Sequence, residues 1–99
     1  MNPGPPVNYR VSQSQLVEEQ FLQLVTLATE QGRRRLVLRA ARYVIEELAY
    51  DPVGFGESRG VLPHMDLSLR IAFAPPLYVE FAIHEPSRQV FVRRFGLYG

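Results

Sequence analysis

The chain has 99 residues, 46% of them hydrophobic, and a formal net charge of +1. These values are typical of one globular domain, and they argue against an intrinsically disordered chain and against a strong overall attraction to nucleic acid. Cysteine is absent, which excludes disulfides and cysteine-based metal sites.

No apolar run approaches the roughly 18 residues that indicate a membrane-spanning helix. The N-terminus, MNPGPPVNYR, lacks the apolar segment of a signal peptide. We therefore expect a cytoplasmic protein with no membrane partner, and the two histidines suggest neither a metal site nor a cofactor. All 11 basic residues are arginine. Arginine binds phosphate and carboxylate groups bidentately, although the codon preference of a GC-rich genome explains the same bias.

The N-terminal segment 1–6 contains three prolines and a glycine, so we expect a flexible tail followed by a single domain over 7–99. Apolar and polar residues then alternate from Val7 to Ser12, which predicts a short strand.

Two amphipathic helices should follow this strand. Ser12 and Ser14 are both candidate N-caps for the first helix, and Gly32 is a natural stop. Helical spacing continues from Arg33 to about Ala49, and Asp51 with Pro52 ends the second helix. The apolar faces comprise Val17, Phe21, Leu24, Val25 and Ala28 in the first helix, and Val37, Ala41, Val44, Ile45 and Leu48 in the second.

The short run Arg33–Arg35 stands at the start of the second helix, where positive charge opposes the helix dipole. It could contact an acidic partner or a phosphate, or it could be a solvated turn. The segment 53–63 contains three glycines and is expected to be a loop.

The rest of the chain alternates apolar and polar residues in three strands, which start near Met65, Leu77 and Val90. The order β-α-α-β-β-β predicts an α+β fold in which a two-helix hairpin packs on one face of a small antiparallel sheet. The apolar strand residues should meet the helices, and the other face should be open. The predicted buried set is Leu67, Leu69, Ile71, Val79, Phe81, Ile83, Val90 and Val92.

Hairpin geometry predicts the polar neighbours on the open face. A three-residue turn at 74–76 sets Phe73 opposite Leu77, which aligns Arg70 with Glu80. The next turn sets His84 opposite Gln89, and Glu80 then faces Arg93. The same register sets Asp66 opposite His84 and Tyr78 opposite Phe95.

Two interpretations of this face remain open. The arginines could hold a phosphate while Glu80 or His84 moves a proton. Alternatively, Glu80 neutralises two arginines on an ordinary solvated sheet, and His84 is a surface residue held by Asp66.

Several passages resemble the RelE/ParE superfamily of bacterial toxin components. One is AARYVIEELAYDPVGFGESRG at the end of the second helix. Another is the ending LSLRIAF, LYVEFAIHE and QVFVRRF, with Tyr98 soon after. The element order and the length near 100 residues also agree, and the resemblance covers about 7–98.

The resemblance implies the toxin component of a type II toxin–antitoxin system, with an acidic, helical antitoxin as its partner. The implied activity is a ribosome-dependent mRNA endoribonuclease; the alternative is a non-catalytic binding protein of the same fold, either gyrase-directed or inert. A third interpretation, outside this family, is an unrelated α+β interaction domain. The candidate catalytic residues are Arg70, Glu80, His84, Arg93, Arg94 and Tyr98. Tyr78 stands where many family members carry an arginine, and lysine is absent, so both departures weigh against the nuclease.

Overall fold

A computed structural model of the protein describes residues 7–98. The tail predicted at Met1–Pro6 lies outside the described residues. The predicted α+β class is confirmed, with three helices and one five-stranded mixed sheet among the residues described. The elements are β1 (Arg10–Gln13), α1 (Gln15–Glu30), α2 (Arg34–Tyr50), α3 (Pro52–Phe55), β2 (Glu57–Leu62), β3 (Leu67–Ala74), β4 (Leu77–His84) and β5 (Gln89–Leu97).

Local sequence explains where the two long helices begin and end. The Ser14 hydroxyl accepts a hydrogen bond from the Val17 amide at 3.2 Å and caps α1. Gly32 follows α1 with φ of 72°, a left-handed conformation that glycine adopts at little cost. The chain then turns directly into α2, which runs antiparallel to α1 as a helical hairpin.

The stretch predicted to be a loop over 53–63 instead contains α3 and β2, so that prediction is wrong. The Asp51 carboxylate accepts a hydrogen bond from the Gly54 amide at 3.0 Å and caps α3. The glycines of this stretch do not prevent a strand, because Gly60 adopts φ of 150° at a bulge in the β2–β3 ladder.

The sheet has the strand order β1-β5-β4-β3-β2. Its four C-terminal strands form antiparallel ladders, whereas β1 pairs with β5 in parallel. The prediction of a purely antiparallel sheet is therefore wrong, because β1 runs in the same direction as β5.

The turn between β3 and β4 is one residue shorter than predicted. Ala74 lies opposite Leu77, so only Pro75 and Pro76 remain in the turn. Because successive side chains point to opposite faces, a slip of one residue reverses the face of every β3 side chain. Arg70 consequently lies opposite Phe81, and Ile71 lies opposite Glu80.

The β4–β5 register agrees with the prediction at one end only. His84 lies opposite Gln89 as expected. A bulge then shifts the ladder between Glu80 and Phe81, so Glu80 faces Arg94 rather than Arg93. The same shift sets Tyr78 opposite Gly96, which contradicts the prediction of Phe95.

The hydrophobic core lies between the helical hairpin and one face of the sheet. Its largest fully buried side chain is Phe81, and Phe21 of α1 meets Phe95 of β5 at a ring-centroid distance of 5.0 Å. The predicted core residues of β4 and β5 are confirmed, but Leu67, Leu69 and Ile71 of β3 lie on the other face. Ala72 and Ala74 contact the helices in their place. No helix within residues 7–98 is long and apolar enough to cross a membrane.

The segment before β1 connects this strand both to the helices and to the rest of the sheet. The amides of Asn8 and Tyr9 donate hydrogen bonds to the Ala49 carbonyl at the end of α2. The buried Tyr9 ring lies under the Arg88 guanidinium, and its hydroxyl donates a hydrogen bond to the Glu85 carboxylate. That hydrogen bond, and secondly burial, raises the pKa of Tyr9 above its ordinary value of 10.0.

We expect Phe81→Ala to lower the free energy of unfolding by about 3–5 kcal/mol, because it empties a fully buried aromatic position. Phe91→Ala, at a position 37% exposed, serves as the matched control and should cost much less. Urea unfolding measures both. A loss of under about 1 kcal/mol for Phe81→Ala would contradict the core assignment.

We expect the stability of the wild type to decline as the pH rises above about 10, because the unfolded Tyr9 hydroxyl ionises before the folded one. Below that pH the contribution of Tyr9 is fully present. Tyr9→Phe should lose about 1 kcal/mol at about pH 8 but show a shallower decline from about pH 8 to 11. Equal declines of the urea midpoint in the two proteins would contradict this linkage.

Candidate functional site

The sheet face turned away from the helices is the candidate site, and we call it the open sheet face. Its side chains follow from the strand register, since paired residues share a face. The apolar members are Leu62 of β2, Leu67, Leu69, Ile71 and Phe73 of β3, Ala82 of β4 and Phe91 of β5. The polar and charged members are Arg10, Ser12, Glu57, Tyr78, Glu80, His84, Gln89 and Arg94.

Arg70 is not part of this face, which corrects the predicted row of Arg70, Glu80 and Arg93. Its guanidinium Nη2 donates hydrogen bonds to the carbonyls of Gly56 at 2.7 Å and Val53 at 3.1 Å. These carbonyls belong to the end of α3, so Arg70 anchors that helix to the sheet. Its Nε is buried without a hydrogen-bond partner.

The tightest polar cluster on the open sheet face joins Tyr78, Glu80 and Arg94. Nη2 of Arg94 donates a hydrogen bond to the Tyr78 hydroxyl at 2.5 Å, and Nε lies 3.9 Å from a Glu80 carboxylate oxygen. The guanidinium also lies 5.6 Å from the centroid of the Tyr78 ring. The bond to Tyr78, and then the charge of Glu80, raises the pKa of Arg94, so this group stays cationic.

Gly96 explains how Tyr78 reaches this position. The Tyr78 ring crosses the strand directly above Gly96, and a Cβ atom there would come within 2.4 Å of ring atoms. The glycine therefore provides the space in which the tyrosine lies beside Arg94.

His84 and Glu80 share the open sheet face but lie four residues apart along β4, or about 13 Å. Nδ1 of His84 lies 2.5 Å from the Ser87 hydroxyl, and the cross-strand neighbour of His84 is Leu67 rather than Asp66. The prediction that Asp66 holds His84 is therefore wrong. Arg93 is the unpaired residue of the β5 bulge and is exposed.

Tyr98 lies at the same end of the sheet as Tyr78. Its ring meets Phe73 edge to face at 5.6 Å, and the Phe73 ring lies 6.5 Å from that of Tyr78. The Tyr98 amide donates to the Pro76 carbonyl, and its own carbonyl accepts a hydrogen bond from Arg33 at 3.3 Å. Tyr98 is thus fixed by its backbone and separated from Arg94 by an aromatic row.

The chemistry open to this arrangement is narrower than the six predicted residues suggested. One cation, one carboxylate and one phenol lie in contact, whereas the histidine lies apart and Arg70 is on the other face. The Glu80 carboxylate lies beside the Arg94 guanidinium, so the one carboxylate of the cluster already has a cationic neighbour. Within residues 7–98, no three His, Cys, Asp or Glu side chains come close enough together to hold a metal ion.

Sequence reasoning missed three features of the site. The apolar residues of β3 lie on the open sheet face, Tyr78 binds Arg94, and Ser87 contacts His84. Gly96, a glycine inside an alternating strand, was the available signal for the second, since it often marks a close approach.

Comparison with known proteins gives no relative: no protein-family model, no curated protein and no solved structure matches this chain.

We expect Arg70→Met to lower the free energy of unfolding by about 1 kcal/mol or more, because the Gly56 and Val53 carbonyls lose their donor while the aliphatic stem is kept. The control is Arg59→Met, an exposed position in β2 that should change stability by less than about 0.5 kcal/mol. Thermal unfolding of both variants measures the difference. If the two variants unfold alike, the anchoring role of Arg70 is wrong.

Proposed function

We propose that this chain is the toxin component of a RelE/ParE-like toxin–antitoxin pair and that it acts by binding rather than by cutting RNA. The observation that carries the proposal is the open sheet face, whose apolar residues lie outside the core cluster that packs on the helices; Phe73 and Phe91 are exposed there, whereas Ile71 and Ala82 are buried. The resemblance of the C-terminal strands and of the passage after α2 to that superfamily supplies the kind of pair. A cytoplasmic location belongs to the same proposal.

The composition of the open sheet face suits a protein partner. Phe73 and Phe91 are exposed, and Leu67 and Leu69 are half-buried beside them. An apolar centre inside a polar rim is the ordinary anatomy of a protein–protein interface.

The rim favours an acidic partner. Arg10 and Arg94 border the apolar centre on one side, and Arg93 protrudes from the adjoining bulge. An acidic, amphipathic segment would cover the apolar residues while its carboxylates meet the guanidinium groups of Arg10 and Arg93, which also speeds encounter. An antitoxin of the expected kind has this chemistry.

The polar cluster supports a second candidate, the ribonuclease. Arg94 could hold a scissile phosphate, with Glu80 as the base for the 2′-hydroxyl and Tyr78 or Tyr98 near the leaving oxygen. Two observations favour binding over this chemistry: Arg94 already neutralises Glu80, and Arg70 supports α3.

The proposal predicts that expression of the wild type arrests bacterial growth, and that co-expression of an acidic, helical protein encoded beside it relieves the arrest. Leu69→Asp combined with Phe91→Asp should abolish co-purification with that protein, because two charges would be buried at the apolar centre. Leu16→Asp combined with Leu22→Asp, on the exposed side of α1, is the matched control and should still co-purify.

Mapping of message ends during the arrest separates the two candidates. Arrest without new message ends supports binding. Cleavage that falls by about 10²–10³ in Arg94→Ala identifies the ribonuclease instead. Absence of arrest together with absence of a binding partner contradicts both.

A further inference from the structure

The charge of this chain is segregated, although its net value is only +1. Five of the 11 arginines fall between 33 and 42, where no acidic residue occurs. The remaining chain therefore holds 6 arginines against 10 acidic residues. The first half of α2 is thus a local cationic surface on an otherwise slightly anionic protein.

Most of these arginines have no carboxylate partner. Arg42 pairs with Glu46 at 3.4 Å, and Arg33 donates to Gln31 and to the Tyr98 carbonyl. No carboxylate within residues 7–98 forms an ion pair with Arg34, Arg35 or Arg39. The first turn of α2 contains no acidic residue, so these cations also oppose the helix dipole. A bound polyanion would offset both the repulsion among these arginines and their unfavourable interaction with the helix dipole.

The arginines line a shallow groove rather than projecting in different directions. Arg34, Arg35, Arg39 and Arg42 border a surface groove of about 570 Å³ with Leu38 among them. Arg35, Arg39 and Arg42 follow one another at helical spacing, so their guanidinium groups form a row along α2.

A second groove of about 470 Å³ adjoins the first, and Arg39 lines both. Its walls include two aromatic side chains that are half exposed, Tyr43 at 50% and Phe73 at 49%. The Tyr43 ring makes an edge-to-face contact with Phe55 at 5.8 Å, which limits the orientations that the ring can adopt. An exposed ring in a fixed orientation is a stacking platform.

We infer that this surface binds single-stranded nucleic acid, with phosphates on the arginine row of α2 and bases against Tyr43 and Phe73. Each nucleotide carries an anionic and an aromatic group in one repeating unit, which matches neighbouring cationic and aromatic grooves. A duplex keeps its bases stacked inside and leaves the aromatic groove unused. An acidic peptide would satisfy the arginines but supplies no base for the rings. The arginine row and Tyr43 lie outside the open sheet face, so the inference does not depend on a partner there, although Phe73 borders both surfaces.

The test is fluorescence anisotropy of the full chain with a fluorescein-labelled oligouridine of about 20 nucleotides, at salt concentrations from about 50 to 200 mM. The wild type should bind with a Kd between about 10⁻⁶ and 10⁻⁴ M. Arg35→Gln combined with Arg39→Gln should weaken binding at least about tenfold and reduce the log–log salt slope by about 1.4, since each lost phosphate contact removes about 0.7. Tyr43→Leu should weaken binding about fivefold or more with the slope unchanged.

The matched control removes the same charge elsewhere: Arg59→Gln combined with Arg88→Gln, both exposed and outside the open sheet face. This control should stay within about twofold of the wild type, and circular dichroism should show that every variant is folded. An equal loss of oligouridine affinity in the control pair would mean that the oligonucleotide is attracted by positive charge anywhere on the protein, and it would overturn the inference. Tighter binding of polyglutamate than of oligouridine would assign the surface to an acidic protein, and equal binding of duplex RNA would remove the role of the aromatic groove.

Discussion

The register of β3 against β4 is the constraint on which the rest of the molecule depends. Because only Pro75 and Pro76 separate the strands, Ala74 lies opposite Leu77 and the alanine side of β3 faces the helices. Small side chains there let α2 approach the sheet closely. The larger apolar side chains of β3 consequently lie on the open sheet face, and Arg70 is directed to the end of α3. The apolar residues of the open sheet face, the anchored α3 and the separation of Arg70 from the other candidate residues all follow from one residue of turn length.

The elements that could be predicted from the sequence are those whose hydrophobic pattern agrees with their packing in the fold. The periodicity of α1 and α2, the Ser14 cap and the Gly32 stop use local information, as does the single apolar side of β4. In β3 the side that faces the helices carries Ser68, Arg70, Ala72 and Ala74, whereas the other side carries leucine, isoleucine and phenylalanine, so hydrophobicity alone prefers the wrong side. β2 was missed because its first four residues, Glu57 to Gly60, are small, polar or charged, and its pairing to β3 comes from the neighbouring ladder rather than from its own propensity.

The candidate site likewise contains some residues whose positions could be predicted from the sequence and others whose positions could not. The sequence places Tyr78, Glu80 and His84 on one side of β4, and this is correct. The bulge in β5 is a property of two strands together, so the choice between Arg93 and Arg94 as the partner of Glu80 was outside the reach of pattern reasoning. Arg94 is engaged by the Tyr78 hydroxyl and the Glu80 carboxylate. For that reason the polar cluster contributes to the shape and charge of the open sheet face more readily than to proton transfer.

The parallel pairing of β1 with β5 has a consequence for the order of folding. Arg10 pairs with Gln89, so the two strands are separated by about 80 residues of chain, and the contact has a high sequence separation. During synthesis β1 is made before the other four strands, yet its partner β5 is made after all of them. The helical hairpin and the C-terminal meander can form from local contacts, whereas β1 must wait unpaired until both exist. Completion of the sheet therefore requires synthesis through β5, and loss of β5 would release β1 as well.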